Sequence, residues 1–194
     1  MARAALLIAT ALLLAGCGSG NGSDEQAEPS TTATATTAEC GVILVDPPRK
    51  LEHPAPASVP AIFLTDVQLE ADACADHVEF TFRDHGSALP GYAVAYEPGS
   101  TAKIEDASGR HLEIAGTDFI VVRLMNVMTA EISGEDVTPT YTGPRRIPGD
   151  ETRFVREVVK TGDFEAMVTW VIGVEGKRLF NATAGGSRLV IDIG

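Results

Sequence analysis

The sequence predicts a mostly β protein, a two-sheet β-sandwich with one long polar loop and little helix. Apolar and polar residues alternate in successive stretches, Gly and Pro punctuate those stretches at fairly regular spacing, and helical periodicity is weak throughout. The alternation begins with Val78, Phe80 and Phe82 against His77, Glu79, Thr81 and Arg83. It resumes in Tyr92, Val94 and Tyr96 after the turn signal Leu89-Pro90-Gly91, and Leu112 and Ile114 follow a second turn at Ser108-Gly109. Ile120, Val122 and Leu124 then alternate with Val121, Arg123 and Met125. The longest run reads as one strand, with Phe164, Ala166, Val168, Trp170, Ile172 and Val174 on one face and Asp163, Glu165, Met167, Thr169 and Val171 on the other. Ser187 to Ile193 closes the chain as a strand expected to be paired inside a sheet, with Leu189, Ile191 and Ile193 on one face. Residues 151–160 fit a helix or a strand equally. Met128 to Asp150 reads as the long polar connection, of a length more often functional or mobile than structural.

Ahead of these strands lies an expected export signal. Arg3 is basic, Ala4 to Leu14 is a short apolar run, and Leu14-Ala15-Gly16-Cys17 resembles a bacterial lipobox. That run falls short of the roughly 20 residues a membrane span needs. Residues 1–16 are therefore expected to be a lipoprotein signal peptide, with Cys17 the acylated first residue of the mature chain. Each buried methylene of the acyl chains would add about 0.8 kcal/mol of hold on the bilayer. Residues 17–39 carry Gly, Ser, Thr, Ala and acidic residues but no large apolar side chain, which predicts a disordered tether spanning on the order of 25 Å. Residues 40–58 form a Pro-rich extended segment, and residues 59–194 the β-sandwich domain. The expected location is the outer face of the cytoplasmic membrane, held by lipid alone.

Lys and Arg number 15 against 27 Asp and Glu, for a formal net charge of −12. Nucleic-acid affinity comes largely from basic residues neutralising phosphates, so this balance argues against such a partner. Beyond Cys17, the cysteines are Cys40 and Cys74, expected to pair as a disulfide in an oxidising compartment. They lack both zinc-ligand spacing and the C-x-x-C of a redox pair. His77 and Glu79 lie two apart on one strand face, an arrangement that reads as solvated charge, and no metal or cofactor is expected. Asp163 and Glu165 would share a face as a carboxylate pair, yet neighbours on one strand do not by themselves form a cleft. Trp170 is expected in the core. The sequence holds no G-x-S-x-G, H-E-x-x-H, Walker A or Rossmann glycine pattern, and a non-enzymatic role is expected.

Thr161 to Val174 (TGDFEAMVTWVIGV), the Arg178-Leu179-Phe180 step and Ser187 to Ile193 together resemble the AMIN-like domain of lipoproteins from high-GC Gram-positive bacteria. Asp76 to Phe82 is similar to that family's first strong strand, and Pro90 to Tyr96 to its next. The resemblance runs from about Val59 to Gly194. It implies a β-sandwich related to the AMIN domain, which brings envelope proteins to the cell wall, and it implies no catalytic residues. Two departures stand out: the family usually carries Arg where this chain has His77, and a His-Asp-Gly stretch where it has Ala73-Cys74-Ala75.

The leading expectation is a lipid-anchored envelope protein whose sandwich binds cell-wall glycan (peptidoglycan) or a wall-associated protein. Arg83, Tyr92, Tyr96 and Tyr141 are its candidate contact residues. The alternative is an accessory or adaptor lipoprotein that docks a membrane or secreted protein through Met128 to Asp150, where Tyr141, Arg145 and Arg146 are residue types enriched at interfaces. A minor alternative is a hydrolase using Asp163 and Glu165.

Overall fold

The strands form because β-branched and aromatic residues alternate with polar ones between Gly and Pro breaks, and the computed structural model arranges them in two packed sheets. The structure describes residues 44, 50–55, 60–83 and 89–194. The expected signal peptide, Cys17, the tether and Cys40 lie outside the described residues.

Elements follow in the order β1 (Leu51–His53), β2 (Ile62–Ala71), β3 (Asp76–Phe82), β4 (Gly91–Glu97), a single helical turn α1 (Gly99–Ala102), β5 (Asp118–Met125) and β6 (Val127–Met128). Then come β7 (Ala130–Ser133), β8 (Asp136–Pro139), β9 (Arg146–Pro148), β10 (Val155–Phe164), β11 (Met167–Val174), β12 (Phe180–Gly185) and β13 (Arg188–Ile193). One sheet has the order β1-β4-β5-β11-β10-β9, the other β12-β13-β3-β2-β6, and β7 and β8 form a separate hairpin. Pairing is antiparallel except between β2 and the short β6. The β-sandwich expectation thus holds.

Between the sheets, Phe80, Leu189, Ile191 and Ile193 face Val122, Leu124, Trp170 and Ile172, all fully buried. Trp170 anchors this layer, with edge-on ring contacts to Phe80 at 6.0 Å and Tyr141 at 5.7 Å. The six-stranded sheet is covered on its outer face as well. Ala102, Leu112, Ile114 and Phe119 pack there on Val121, Val159 and Val171. Leu112 and Ile114 cover that face from outside the named strands, next to an isolated bridge between Ile104 and His111. This explains why β5 and β11 carry consecutive apolar residues where a half-exposed strand would alternate.

Two sequence expectations change, and one left open between helix and strand is settled. Residues 128–150 are a strand-bearing connection rather than a plain loop: they hold the end of β6, the β7–β8 hairpin and β9. Residues 151–160 contain no helix and lead into β10. The long run from Asp163 to Val174 is two strands, because Glu165 and Ala166 turn the chain with φ of 51° and 56°. Asp163 and Glu165 therefore do not share a strand face, since the first ends β10 and the second sits in the turn.

Candidate functional site

The sandwich has two unlike poles. At one, Leu44 sits against Gly194, beside the Cys74 carbonyl, and Ile193 pairs with Asp76. β10 starts at this pole, with Val155 bonded to Asp76, and runs its ten residues to the other. At about 3.3 Å per residue the poles lie roughly 30 Å apart.

The far pole is built on a strand edge where β9 stops and the Asp106 N–H takes over, donating to the Thr161 carbonyl at 2.9 Å. β9 pairs with β10 only as far as Val159, and one more bond, from Lys160 N–H to the Arg145 carbonyl, ends the ladder. A bulge between Lys160 and Gly162 then shifts the side-chain alternation by one residue. Lys160 and Asp163 consequently point to the same side, and Lys160 Nζ lies 2.8 Å from Asp163 Oδ2. Along this edge opens a groove of about 430 Å³, lined by residues 105–107, by Tyr141, Gly143 and Arg145, and by residues 160–164.

Both of its cations are engaged by carboxylates, while the Asp106 carboxylate is exposed on its wall. Arg145 forms an ion pair with Glu105 and donates through Nε to the Lys160 carbonyl at 2.9 Å. Glu105 also accepts from Ser108 and Arg110, and these hydrogen bonds, Ser108's first, hold its carboxyl down at about 2. Tyr141 is buried, donates to the Pro144 carbonyl at 2.7 Å and lies under Lys160 Nζ, 5.5 Å from its ring centroid. Burial first, then the Asp66 carboxylate, pushes its phenol up to about 12. Gly162 lets the Asp106 side chain lie against the strand: a Cβ there would come within 1.7 Å of Asp106 Oδ2. Thr161 also lines the groove, and its hydroxyl is buried with no hydrogen-bond partner among the described residues. Phe164, 60% exposed, stands at the rim. The groove thus offers donors, acceptors and an aromatic face, with both cations held in ion pairs, a surface matched to a polar ligand that is not anionic.

Of the residues singled out from sequence, the structure brings Tyr141 and Arg145 together here. Asp163 also lines the groove, and the others lie elsewhere. Tyr92 stacks on His53 of β1, and the Tyr96 hydroxyl accepts from the Arg178 backbone N–H at 2.8 Å while its ring meets Phe180. Arg83 lies over Phe63 and pairs with Glu131 at 2.7 Å, and Arg146 pairs with Glu157 at 2.7 Å. Asp163 is engaged by Lys160 and Thr129, whereas Glu165 is exposed at the turn. Trp170 is in the core, as expected. His77, with Glu79, sits on β3 and contacts Asp192 at 2.7 Å and Asp72 at 3.2 Å. Among the described residues no group of three or more His, Cys, Asp or Glu side chains is placed to hold a metal ion. Sequence reasoning missed Glu105, Asp106, Lys160, Thr161 and Phe164: the lone Gly162 inside a strand pattern is the signal for the bulge, whereas the turn at Glu165-Ala166 carries no Asn-Gly or similar marker.

No helix of the described residues is long and apolar enough to cross a membrane. Neither the curated proteins nor the solved structures give a match. The family comparison does: the AMIN-like domain matches residues 62–194, which spans β2 to the end of β13 and more than half of the sequence, and the chain belongs to the AMIN-like domain family.

Proposed function

We propose that this protein is a lipid-anchored envelope protein whose sandwich binds cell-wall glycan, without catalysis, in the groove at the far pole. The observation that carries this reading is the groove itself, with its cations held in ion pairs, polar groups from several segments and an exposed Phe164 in a member of the AMIN-like family. A glycan strand offers many hydroxyls and apolar sugar faces but little charge density, and those features match this lining. The lipobox at Cys17 and the polar tether fit the same reading, since Leu44 meets the domain at the pole opposite the groove. A chain held at Cys17 would then present the groove away from the bilayer. A Cys40–Cys74 disulfide belongs to the proposal too.

The test is co-sedimentation of the full chain carrying Cys17→Ala with purified cell walls. Depletion from the supernatant, reduced by Phe164→Ala and by Arg145→Ala, is the expected result. Complete recovery in the supernatant across pH and salt would overturn the reading. Release of soluble muropeptides that Asp163→Asn abolishes would instead revive the hydrolase alternative.

A further inference from the structure

Beside the groove lies a second surface of different character. Four large apolar side chains are exposed among the described residues: Ile132 (61%), Val137 (63%), Phe164 (60%) and Met167 (41%). All four belong to one cluster. Ile132 and Val137 are direct cross-strand partners in the β7–β8 hairpin, as are Phe164 and Met167 across the β10–β11 turn, so each pair shares a face. Ile132 and Phe164 line a common depression of about 230 Å³ together with Val127 and Met128. Scattered exposed hydrophobes need no explanation, but their collection at one spot marks an interaction surface.

The hairpin that carries half of this patch is held in place. Arg83 bonds Glu131, the Thr129 carbonyl accepts from the N–H groups of Thr140 and Tyr141, and the Thr140 hydroxyl donates to the Leu64 carbonyl at 3.0 Å. The patch is therefore preorganised, which lowers the entropy cost of docking.

The rim identifies the occupant. Glu135 and Asp136 at the hairpin tip and Glu165 at the neighbouring turn are exposed, while the nearby cations Arg83 and Lys160 are engaged by Glu131 and Asp163. Such a rim repels a second copy of itself and an anionic leaflet. Aliphatic Ile132, Val137 and Met167 are also poor platforms for sugar stacking. We propose that Ile132, Val137, Phe164 and Met167 dock a basic segment of a partner protein that presents apolar side chains between its Lys or Arg residues. This surface is separate from glycan binding except at Phe164, so it stands or falls independently when tested through the hairpin.

The experiment measures anisotropy of a labelled, capped peptide of alternating Lys and Leu, with the Glu and Leu counterpart as control, against the full chain carrying Cys17→Ala. The basic peptide should bind, more weakly as salt rises, and the acidic one should not. Ile132→Ser with Val137→Ser should weaken binding about tenfold or more, with an unchanged thermal melt and unchanged wall sedimentation. Glu135→Lys with Asp136→Lys, which leaves the apolar face intact, should weaken it as well. The proposal is overturned by equal binding of both peptides, by no binding, by hairpin variants that bind like the parent chain, by stronger binding to anionic vesicles, or by dimerisation through this face.

Discussion

The buried carboxylate of Asp76, the first residue of β3, accepts a hydrogen bond at 2.8 Å from the backbone N–H of Val155, the first residue of β10 in the opposite sheet. The same oxygen takes the Phe154 N–H at 2.7 Å and the other oxygen takes that of Arg153 at 3.1 Å. One side chain therefore ties the two sheets together at the pole where Leu44 meets the domain. Asp76→Ala would leave three backbone donors without this partner, and hydrogen bonds to charged groups contribute about 1.5–3 kcal/mol each. We expect a loss of at least about 3 kcal/mol, measured as a lower urea midpoint, with Asp76→Asn less damaging because it keeps one acceptor.

His77, the next residue, predicts a pH dependence. Burial opposes its charged form, but hydrogen bonds and charge attraction from Asp192 and Asp72 outweigh this and raise its titration above the ordinary value. A group raised in the folded state stabilises fully below its unfolded value of about 6.5 and loses that contribution as pH rises through the folded value. Urea midpoints from pH 5 to pH 9 should therefore fall more for the parent chain than for His77→Gln. Parallel profiles would mean that the two carboxylates do not couple to His77. His77→Arg should keep its ion pairs over the whole range and flatten the curve.

The β10–β11 turn predicts a gain. Glu165 and Ala166 both hold positive φ, an arrangement for which Asn-Gly is the favoured pair. Ala166 is kept there in part by its carbonyl, which accepts from the Val127 N–H at 2.9 Å. Left-handed conformation costs a residue with a Cβ roughly 1–2 kcal/mol, so Ala166→Gly should stabilise the protein by up to about 1 kcal/mol after the extra freedom of glycine in the unfolded chain. A higher thermal midpoint with unchanged wall binding is the expected outcome.

The same turn shows where sequence reasoning stops. β3, β4 and β13 are readable because each keeps one apolar face against the interior, so period two survives in the residue order. The division between β10 and β11 is not, because Phe164, Ala166 and Val168 continue the alternation straight through residues that reverse direction. The strands of residues 128–150 were hidden for a different reason. β7 and β8 are almost wholly exposed and β9 is a three-residue edge strand, so burial imposes little pattern on them. Tyr141 drew attention as a polar aromatic in a polar stretch, and it proves to be buried against Trp170 at the end of the core. Arg145 was visible as a residue type, but its partners Glu105 and Lys160 come from distant segments that only the folded sheet brings together.

Gly162 predicts a functional loss with the fold retained. A Cβ there would meet the Asp106 side chain, at 1.7 Å from Oδ2 and 3.0 Å from Cβ, so that exposed side chain must turn away from its place on the groove wall. Gly162→Ala should shift this wall of the groove, at a cost of about 1–3 kcal/mol typical of overpacking. Wall sedimentation should weaken while basic-peptide binding at the hairpin stays unchanged.

The last strand sets the limit on truncation. β13 lies between β12 and β3 in the five-stranded sheet, and Leu189, Ile191 and Ile193 have no exposed surface. Each such side chain contributes about 1.5–3 kcal/mol on burial, so the three together rival the net stability of a whole domain, about 5–15 kcal/mol. Removing β13 would also strip the inner edge of β3 of its ladder and leave β12 without a partner. Deleting Ser187 to Gly194 should therefore abolish cooperative unfolding together with wall and peptide binding, whereas deleting Gly18 to Glu39 should leave the urea midpoint where it was. A C-terminal truncation that still unfolds cooperatively at the parent midpoint would show that the sheet closes without β13.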